Sequence, residues 1–223
     1  GLKPKWLIEC GYGVIEDLID MYQGLELNQQ KKPQILIAPS WQEDNIMDSC
    51  IDELLESLMN ERYRIIVRPH PEYIKRYRNR IEKFQEKYKE KLDEDFILQL
   101  DFSSNRTVFE SDLVITDWST VAHEFSYATK KPCIFIDTKM KVMNPEYEAI
   151  RMTTIDISLR NEIGTSIKIA QVRNSAAKVD ELLNESDRYK ERITAIVDKY
   201  VYPLGKSGEV GAKYILAKLN GKI

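Results

Sequence analysis

Residues 111–137 of the chain, SDLVITDWSTVAHEFSYATKKPCIFID, hold two short apolar runs on either side of a helical pattern. The runs 112–116 (DLVIT) and 132–137 (PCIFID) are typical of strands buried on both faces. The stretch from Ser119 to Thr129 between them is predicted to be a helix. A strand, a helix and a second strand with short connections predict a βαβ unit with parallel strands.

The same alternation continues on both sides of this unit. Further strands are predicted at 34–39 (QILIAP), 63–68 (YRIIVR) and 96–100, with another short strand near 153–157. Helices are predicted at 44–60, 72–91, 167–185, 187–200 and 209–219. Repeated strand–helix alternation predicts the α/β class, with a Rossmann-like doubly wound parallel sheet.

The first 33 residues do not follow this alternation. They carry Gly11, Gly13 and Gly24 and end in the polar run 28–32. We interpret residues 1–33 as a linker or the remnant of a preceding domain, and residues 34–223 as one ligand-binding domain.

Charge and composition exclude several classes of partner for this domain. Lys and Arg total 33 against 36 Asp and Glu, a net charge of −3, so nucleic acid is not an expected partner. The cysteines at 10, 50 and 133 lack metal-site spacing, and the chain has 2 histidines, so we expect free thiols and no structural metal. No long apolar run and no signal-peptide pattern is present, so we expect a cytoplasmic protein, or one bound peripherally to the inner face of a membrane.

The candidate site follows from the predicted sheet, because ligands of such sheets bind beyond the carboxyl ends of the strands. Asp117, Ser119 and Thr120 come directly after a strand, where a helix N-terminus with free N–H groups suits a phosphate. A purely structural cap by Asp117 or Ser119 explains the same pattern. In the next turn, His123 and Glu124 are candidates for substrate contact, with Glu124 suited to ribose hydroxyls or to plain solvation.

Three other segments carry candidate residues. Arg68 and His70 stand in Arg-Pro-His-Pro, where two prolines fix the imidazole at a strand end for charge neutralisation or proton donation. Ser40 and Trp41 end the first strand, where the indole lines the cleft or covers the core. Lys206 and Ser207 precede the last helix without Walker spacing, and are candidates for a phosphate contact or an ordinary turn.

These pieces together resemble the CDP-glycerol glycerophosphotransferase family, which builds teichoic acid and capsule polymers. The resemblance covers roughly residues 34–220, with a weaker match at 10–19. The matching stretches are ILIAPSW (35–41), RPHP (68–71), SDLVITDWST (111–120), KKPCIFID (130–137) and LGKSGEVGAKYI (204–215).

The resemblance implies the C-terminal half of a GT-B architecture, which holds the nucleotide of a CDP-alcohol such as CDP-glycerol. It implies that His70 contacts the diphosphate and helps CMP leave, that Ser119 and Thr120 bind phosphate, and that Glu124 lies near the ribose. It also implies no cofactor, and a polymer or lipid-linked acceptor brought by an N-terminal domain that holds the general base.

Two other functions fit the same residues. A GT-B glycosyltransferase or epimerase domain that uses a UDP- or CMP-sugar shares the fold and the diphosphate site. A non-catalytic docking or regulatory module would bind no nucleotide and would bury Arg68 and His70 in a salt-bridged core.

Overall fold

A parallel sheet forms the centre of the structure, a computed structural model that describes residues 7–27, 31–150 and 153–221. Within these residues the strands are β1 (Gln34–Ile37), β2 (Arg64–Val67), β3 (Phe96–Leu98), β4 (Leu113–Thr116), β5 (Cys133–Asp137) and β6 (Gly164–Lys168). All pairs are parallel, in the order β3-β2-β1-β4-β5-β6. The order reverses at β1, so the predicted doubly wound sheet is confirmed and its switch point lies between β1 and β4.

Apolar side chains place β1 and β4 at the middle of the sheet. All four residues of each strand are buried, as expected for strands covered on both faces. Strands β1 to β5 confirm the five strands predicted before residue 138, with ends shifted by one or two residues.

Helices cover the sheet between and after the strands. They are α1 (Gly13–Gln23), α2 (Ile46–Ser49), α3 (Ile51–Leu58), α4 (Pro71–Arg76), α5 (Arg78–Tyr88), α6 (Arg106–Glu110), α7 (Val121–Thr129), α8 (Ile155–Ser158), α9 (Arg160–Ile163), α10 (Ser175–Asn184), α11 (Ser186–Tyr200) and α12 (Ser207–Leu219). Two 3₁₀ helices span Tyr147–Ile150 and Ile169–Asn174. Helix α3 packs against α10, while α7 packs against α1, α6 and α11.

Four predicted elements differ from the structure. The strand predicted near 153–157 is wrong, because α8 lies there and the sixth strand is β6. The helix predicted over 167–185 starts only at Ser175, after the end of β6 and a 3₁₀ helix. The helices predicted over 44–60 and 72–91 are each broken in two, where Cys50 (φ −161°, ψ 15°) and Tyr77 (φ −122°, ψ 42°) leave helical backbone angles.

Helix α1 occupies 11 residues of the segment 1–33 that was interpreted as a linker or remnant. Its Ile15 is 1% exposed and belongs to the main apolar core, and the helix packs against α7. The Glu16 carboxylate accepts hydrogen bonds from the backbone N–H and the hydroxyl of Ser207. The division of the chain at residue 33 stays a prediction.

All three cysteines are free thiols, and Cys10 is partly exposed. Cys50 and Cys133 are buried, and burial raises the pKa of each thiol to about 12.

Candidate functional site

Asp117 joins the two loops at the switch point of the sheet. Its side chain is 1% exposed. Oδ1 accepts hydrogen bonds from the backbone N–H groups of Ser40 (2.9 Å) and Trp118 (2.7 Å), and Oδ2 accepts one from Ile46 (3.1 Å). The carboxylate therefore fixes the loop after β1 against the loop after β4. Its predicted role in substrate binding stays a prediction.

Helix α7 begins two residues later than predicted, at Val121. Thr120 is the N-cap residue but its side chain does not cap the helix; the hydroxyl instead donates to Oε1 of Glu124 (3.2 Å). Ser119 Oγ accepts a long hydrogen bond from the N–H of Val121 (3.4 Å). The start of α7 thus offers backbone N–H groups and the Ser119 hydroxyl at the carboxyl end of β4, an arrangement that suits an anion. The Thr120 hydroxyl would donate to such an anion only by giving up its hydrogen bond to Glu124.

A cavity of about 360 Å³ opens beside this helix start. Its walls come from the β4–α7 connection, from residues between 140 and 150 and between 154 and 157, and from α9. Ser119, Thr120 and His123 line it together with Trp118 and with Asp117. The structure therefore brings four of the predicted substrate-binding residues, the switch-point carboxylate among them, to a single cavity, with apolar side chains such as Phe135, Val142 and Ile157 around them.

Two cationic residues of this cavity were missed in the sequence. Arg160 is 7% exposed, and its Nη1 donates to the carbonyl oxygen of Asp117 (2.9 Å) while Nη2 donates to Oδ1 of Asp137 (3.2 Å). Its guanidinium lies 4.2 Å from the ring centre of Trp118, and burial lowers its pKa. Lys141, the second one, is half-buried at the cavity and lies 5.1 Å from the ring centre of Trp41. Neither stands in a periodic pattern, so no sequence signal marked them.

His70 caps α4 and lies close enough to Lys141 for the charge to act on it. Nδ1 of His70 accepts a hydrogen bond from the N–H of Glu72 (3.0 Å). Burial lowers the pKa of His70, and Lys141 lowers it further, against an opposite effect of Glu72. A neutral imidazole that accepts at Nδ1 carries its proton on Nε2. His70 therefore presents an Nε2–H group as a hydrogen-bond donor.

Arg68 and Glu124 line a different, smaller cavity of about 90 Å³, together with Leu18 of α1. Nη2 of Arg68 donates weakly to the Ser104 carbonyl (3.4 Å) and to Asn105 Oδ1 (3.3 Å). Burial lowers the pKa of Arg68. The structure thus separates Arg68 and Glu124 from the residues of the larger cavity, although Glu124 and His123 are neighbours on α7.

Trp41 and Ser40 lie at the end of β1, as predicted. The Trp41 ring has the Arg76 guanidinium at 4.8 Å and the Lys141 ammonium at 5.1 Å from its centre. Ser40 is 1% exposed, and its Oγ has no hydrogen-bond partner among the described residues. Trp41 does not line the larger cavity but contacts Lys141, which does, and its predicted role in substrate binding stays a prediction.

Lys206 and Ser207 are held by the N-terminal helix and line neither cavity. Their N–H groups each donate to Oε1 of Glu16 (3.2 Å), and the Ser207 hydroxyl donates to Oε2 (2.5 Å). These hydrogen bonds lower the pKa of Glu16. A contact of Lys206 or Ser207 with substrate stays a prediction.

The described ranges contain no group of three or more His, Cys, Asp or Glu side chains that could hold a metal ion. They also contain no helix long and apolar enough to cross a membrane.

The family of the chain follows from a match over most of its length. The model of the CDP-glycerol:poly(glycerophosphate) glycerophosphotransferase family matches residues 15–209. The chain belongs to this family. The resemblance seen in the sequence is thereby confirmed, and the family is one of transferases.

Solved structures show the same fold. A variant of the wall teichoic acid polymerase TagF with CDPG is 19% identical, with a TM-score of 0.54, and the match covers 98% of this chain and 53% of that one. A glycosyltransferase from Rickettsia africae is 15% identical, with a TM-score of 0.52 and coverage of 90% and 50%. The forosaminyltransferase SpnP is 13% identical, with a TM-score of 0.51 and coverage of 86% and 44%.

These three structures share the fold of this chain, which is that of one half of a GT-B enzyme. The chain spans about half the length of the TagF chains it matches. None of the curated proteins matches the chain significantly.

Proposed function

We propose that this chain is the donor-nucleotide-binding part of a transferase in cell-wall or capsule polymer synthesis. Its donor is a CDP-alcohol, CDP-glycerol or a close relative, and its acceptor is a hydroxyl of a polymer or lipid-linked chain. The acceptor reaches the site through another domain of the protein, at the inner face of the cell membrane. The family match supports the reaction class, and the cavity at the start of α7 is the observation that carries the proposal.

The charges around the cavity suit a diphosphate. The start of α7 offers N–H groups and the hydroxyls of Ser119 and Thr120, and Lys141 adds a positive charge from the facing loop. Phosphoryl transfer depends mainly on positioning and charge neutralisation. A diphosphate bound between these groups would need no covalent partner from the protein.

The transfer itself breaks one phosphorus–oxygen bond and forms another. The acceptor oxygen attacks the β-phosphorus of the CDP-alcohol, and the oxygen that bridges the two phosphorus atoms leaves with CMP. The Nε2–H of His70 donates a hydrogen bond to that leaving oxygen as negative charge develops on it. The proton of the acceptor hydroxyl goes to a base that we assign to another domain.

Calorimetric titration of the chain with CDP-glycerol, CMP, UDP-glucose and UDP tests the proposal. We expect selective binding of the two cytidine ligands. Ser119→Ala should weaken CMP binding about 10- to 100-fold, because a hydrogen bond to a charged group is worth about 1.5–3 kcal/mol. Ser186→Ala, at an exposed position of α11, is the matched control and should change nothing.

Two substitutions are needed to test the proposed role of His70, because its side chain also caps α4. His70→Asn keeps an N-cap acceptor and removes the imidazole, whereas His70→Ala removes both. We expect both variants to bind CDP-glycerol more weakly, and only His70→Ala to lose stability. Selective uridine binding would instead support a UDP-sugar glycosyltransferase, and a chain that binds none of the four nucleotides would contradict the proposal and favour a non-catalytic module.

A further inference from the structure

His123 is a buried side chain whose polar atoms lack partners. The residue is 6% exposed, and neither Nδ1 nor Nε2 has a hydrogen-bond partner among the described residues. Buried polar side-chain atoms are hydrogen-bonded in the large majority of cases, so an imidazole with two unpaired nitrogens needs an explanation. The imidazole lines the cavity beside α7, so the explanation lies in what that cavity holds.

A purely structural role does not explain the choice of histidine. The ring lies edge-on to Tyr127 (5.7 Å between centres) and tilted against Phe135 (6.2 Å). A phenylalanine would keep both contacts and would bury no unpaired nitrogen. What histidine adds at this position is hydrogen-bonding capacity directed into the cavity.

The imidazole is suited to a neutral partner. Burial lowers the pKa of His123, Asp156 acts in the opposite direction and Arg160 adds to the lowering. A neutral imidazole offers one hydrogen-bond donor and one acceptor. It can therefore pair with an uncharged polar edge, while a phosphate is better served by the start of α7 and by Lys141.

His123 lies further along α7 than the residues suited to phosphate, so one ligand could place a phosphate at the helix start and an uncharged polar group at His123. It follows Thr120 by three residues, which places it about 4.5 Å further along the axis at a rise of 1.5 Å per residue. Val142 and Ile157 also line the cavity, and Phe135 adds an aromatic wall. Such walls suit the faces of a flat aromatic ring.

We propose that His123 is a specificity-determining residue that hydrogen-bonds the polar edge of the pyrimidine base of the donor nucleotide. The base packs between the apolar walls of the cavity while its phosphates lie at the start of α7. This inference rests on the proposed function and adds the location of the base to it.

Three variants and two ligands test the inference by calorimetry. His123→Phe keeps the ring and removes both nitrogens, and His123→Gln keeps a donor and an acceptor. Tyr127→Phe is the matched control, because it removes a neighbouring buried hydroxyl that also lacks a partner among the described residues and does not line the cavity. The ligands are CMP and inorganic pyrophosphate, which has no base.

We expect His123→Phe to weaken CMP binding about 10- to 100-fold, since a polar edge of the base is left unpaired. Pyrophosphate binding should stay within about twofold of the wild type. His123→Gln should recover part of the CMP affinity, and Tyr127→Phe should bind both ligands like the wild type.

A direct measurement on the wild type removes any dependence on how the variants fold. The chain has 2 histidines, so ¹⁵N imidazole spectra contain two sets of signals, and His70→Asn assigns them. We expect the His123 nitrogens to shift when CMP is added and to stay unchanged with pyrophosphate.

Two results would overturn the inference and leave the proposed function intact. In the first, CMP binds His123→Phe as tightly as the wild type, with shifts at His70 alone. In the second, CDP-glycerol binding weakens in His123→Phe while CMP binding does not, which would place the imidazole at the alcohol. A wild-type chain that binds pyrophosphate but no nucleotide would overturn the proposed function and this inference together.

Discussion

At position 123, a phenylalanine would preserve the ring contacts with Tyr127 and Phe135 and would remove two buried nitrogens that lack partners among the described residues. A buried polar group without a hydrogen bond costs about 1–3 kcal/mol. We therefore expect His123→Phe to raise the free energy of unfolding by that order, measured by urea denaturation of the ligand-free chain at a pH of about 7.5, where the imidazole is neutral. A lower stability would show that the ring nitrogens stabilise the fold, and would argue for a structural role.

The same substitution should change how stability depends on pH. Folding lowers the pKa of His123 below its ordinary value of 6.5, so below pH 6.5 the unfolded chain binds a proton that the folded chain does not. Well above pH 6.5 the imidazole is neutral in both states and its titration does not affect stability. As the pH falls from 6.5 towards the lower pKa of the folded state, protonation of the unfolded chain lowers the free energy of unfolding. Between about pH 7.5 and about pH 5.5 the wild type should lose more stability than His123→Phe. Since His70 is present in both proteins, its own lowered pKa cancels in the comparison.

Single residues also mark the limit of what the sequence could predict about the site. Ser119, Thr120 and His123 were predicted because a strand end and a helix start place them together by local geometry. Lys141 and Arg160 come from a stretch without periodicity, and Arg160 reaches the site through contacts with Asp117 and Asp137. Such long-range contacts leave no local pattern. Nor can a sequence show that the ring nitrogens of His123 lack partners.

Among the elements, β6 shows why a strand at the edge of a sheet is hard to predict. Its sequence, GTSIK, has one large apolar residue, and the buried positions alternate only in part. The five more apolar strands carried a clear pattern, whereas residues 153–157 (TTIDI) look more like a strand than GTSIK does. Pairing with β5 decides the outcome, and that pairing depends on Gly164.

Gly164 lies against the backbone of Cys133 on β5. A Cβ atom at this position would come 1.8 Å from the carbonyl oxygen of Cys133, so any side chain forces the strands apart. We expect Gly164→Ala to lower the free energy of unfolding by about 1–3 kcal/mol, as overpacking does.

Urea denaturation with a second alanine variant provides the control for Gly164→Ala. Gly211 lies in the interior of α12, and a Cβ atom added there would meet no atom of the described residues within 4 Å apart from its chain neighbours and its own helix backbone. Gly211→Ala should therefore stabilise the chain by about 0.5–1 kcal/mol, because alanine loses less conformational freedom in a helix than glycine does. Equal effects of the two substitutions would mean that the close approach of β6 to β5 is not a constraint.

At the scale of the whole molecule, helices α1 and α12 contact each other although they lie near opposite ends of the described sequence. Glu16 of α1 binds the start of α12, and α1 packs against α7, whose first turn borders the larger cavity. Apolar residues recur at helical spacing in α1, at 15, 18, 19 and 22, and Leu18 and Ile19 pack against the core. The segment was nevertheless interpreted as a linker or remnant, because it precedes the strand–helix alternation. The buried side chain of Ile15 allows a test of whether α1 is part of the fold.

Ile15 is 1% exposed and lies in the main core, whereas its neighbour Val14 is 47% exposed. If α1 is part of the fold, Ile15→Ala should lower the free energy of unfolding by about 2–5 kcal/mol, as for other large apolar side chains removed from a core. Val14→Ala is the matched control and should change it by less than about 0.5 kcal/mol. Because α1 supports α7, Ile15→Ala should also weaken CMP binding in the same calorimetric titration. Equal stability of the two variants would show that residues 13–23 act as a linker, and would place the start of the domain near residue 34.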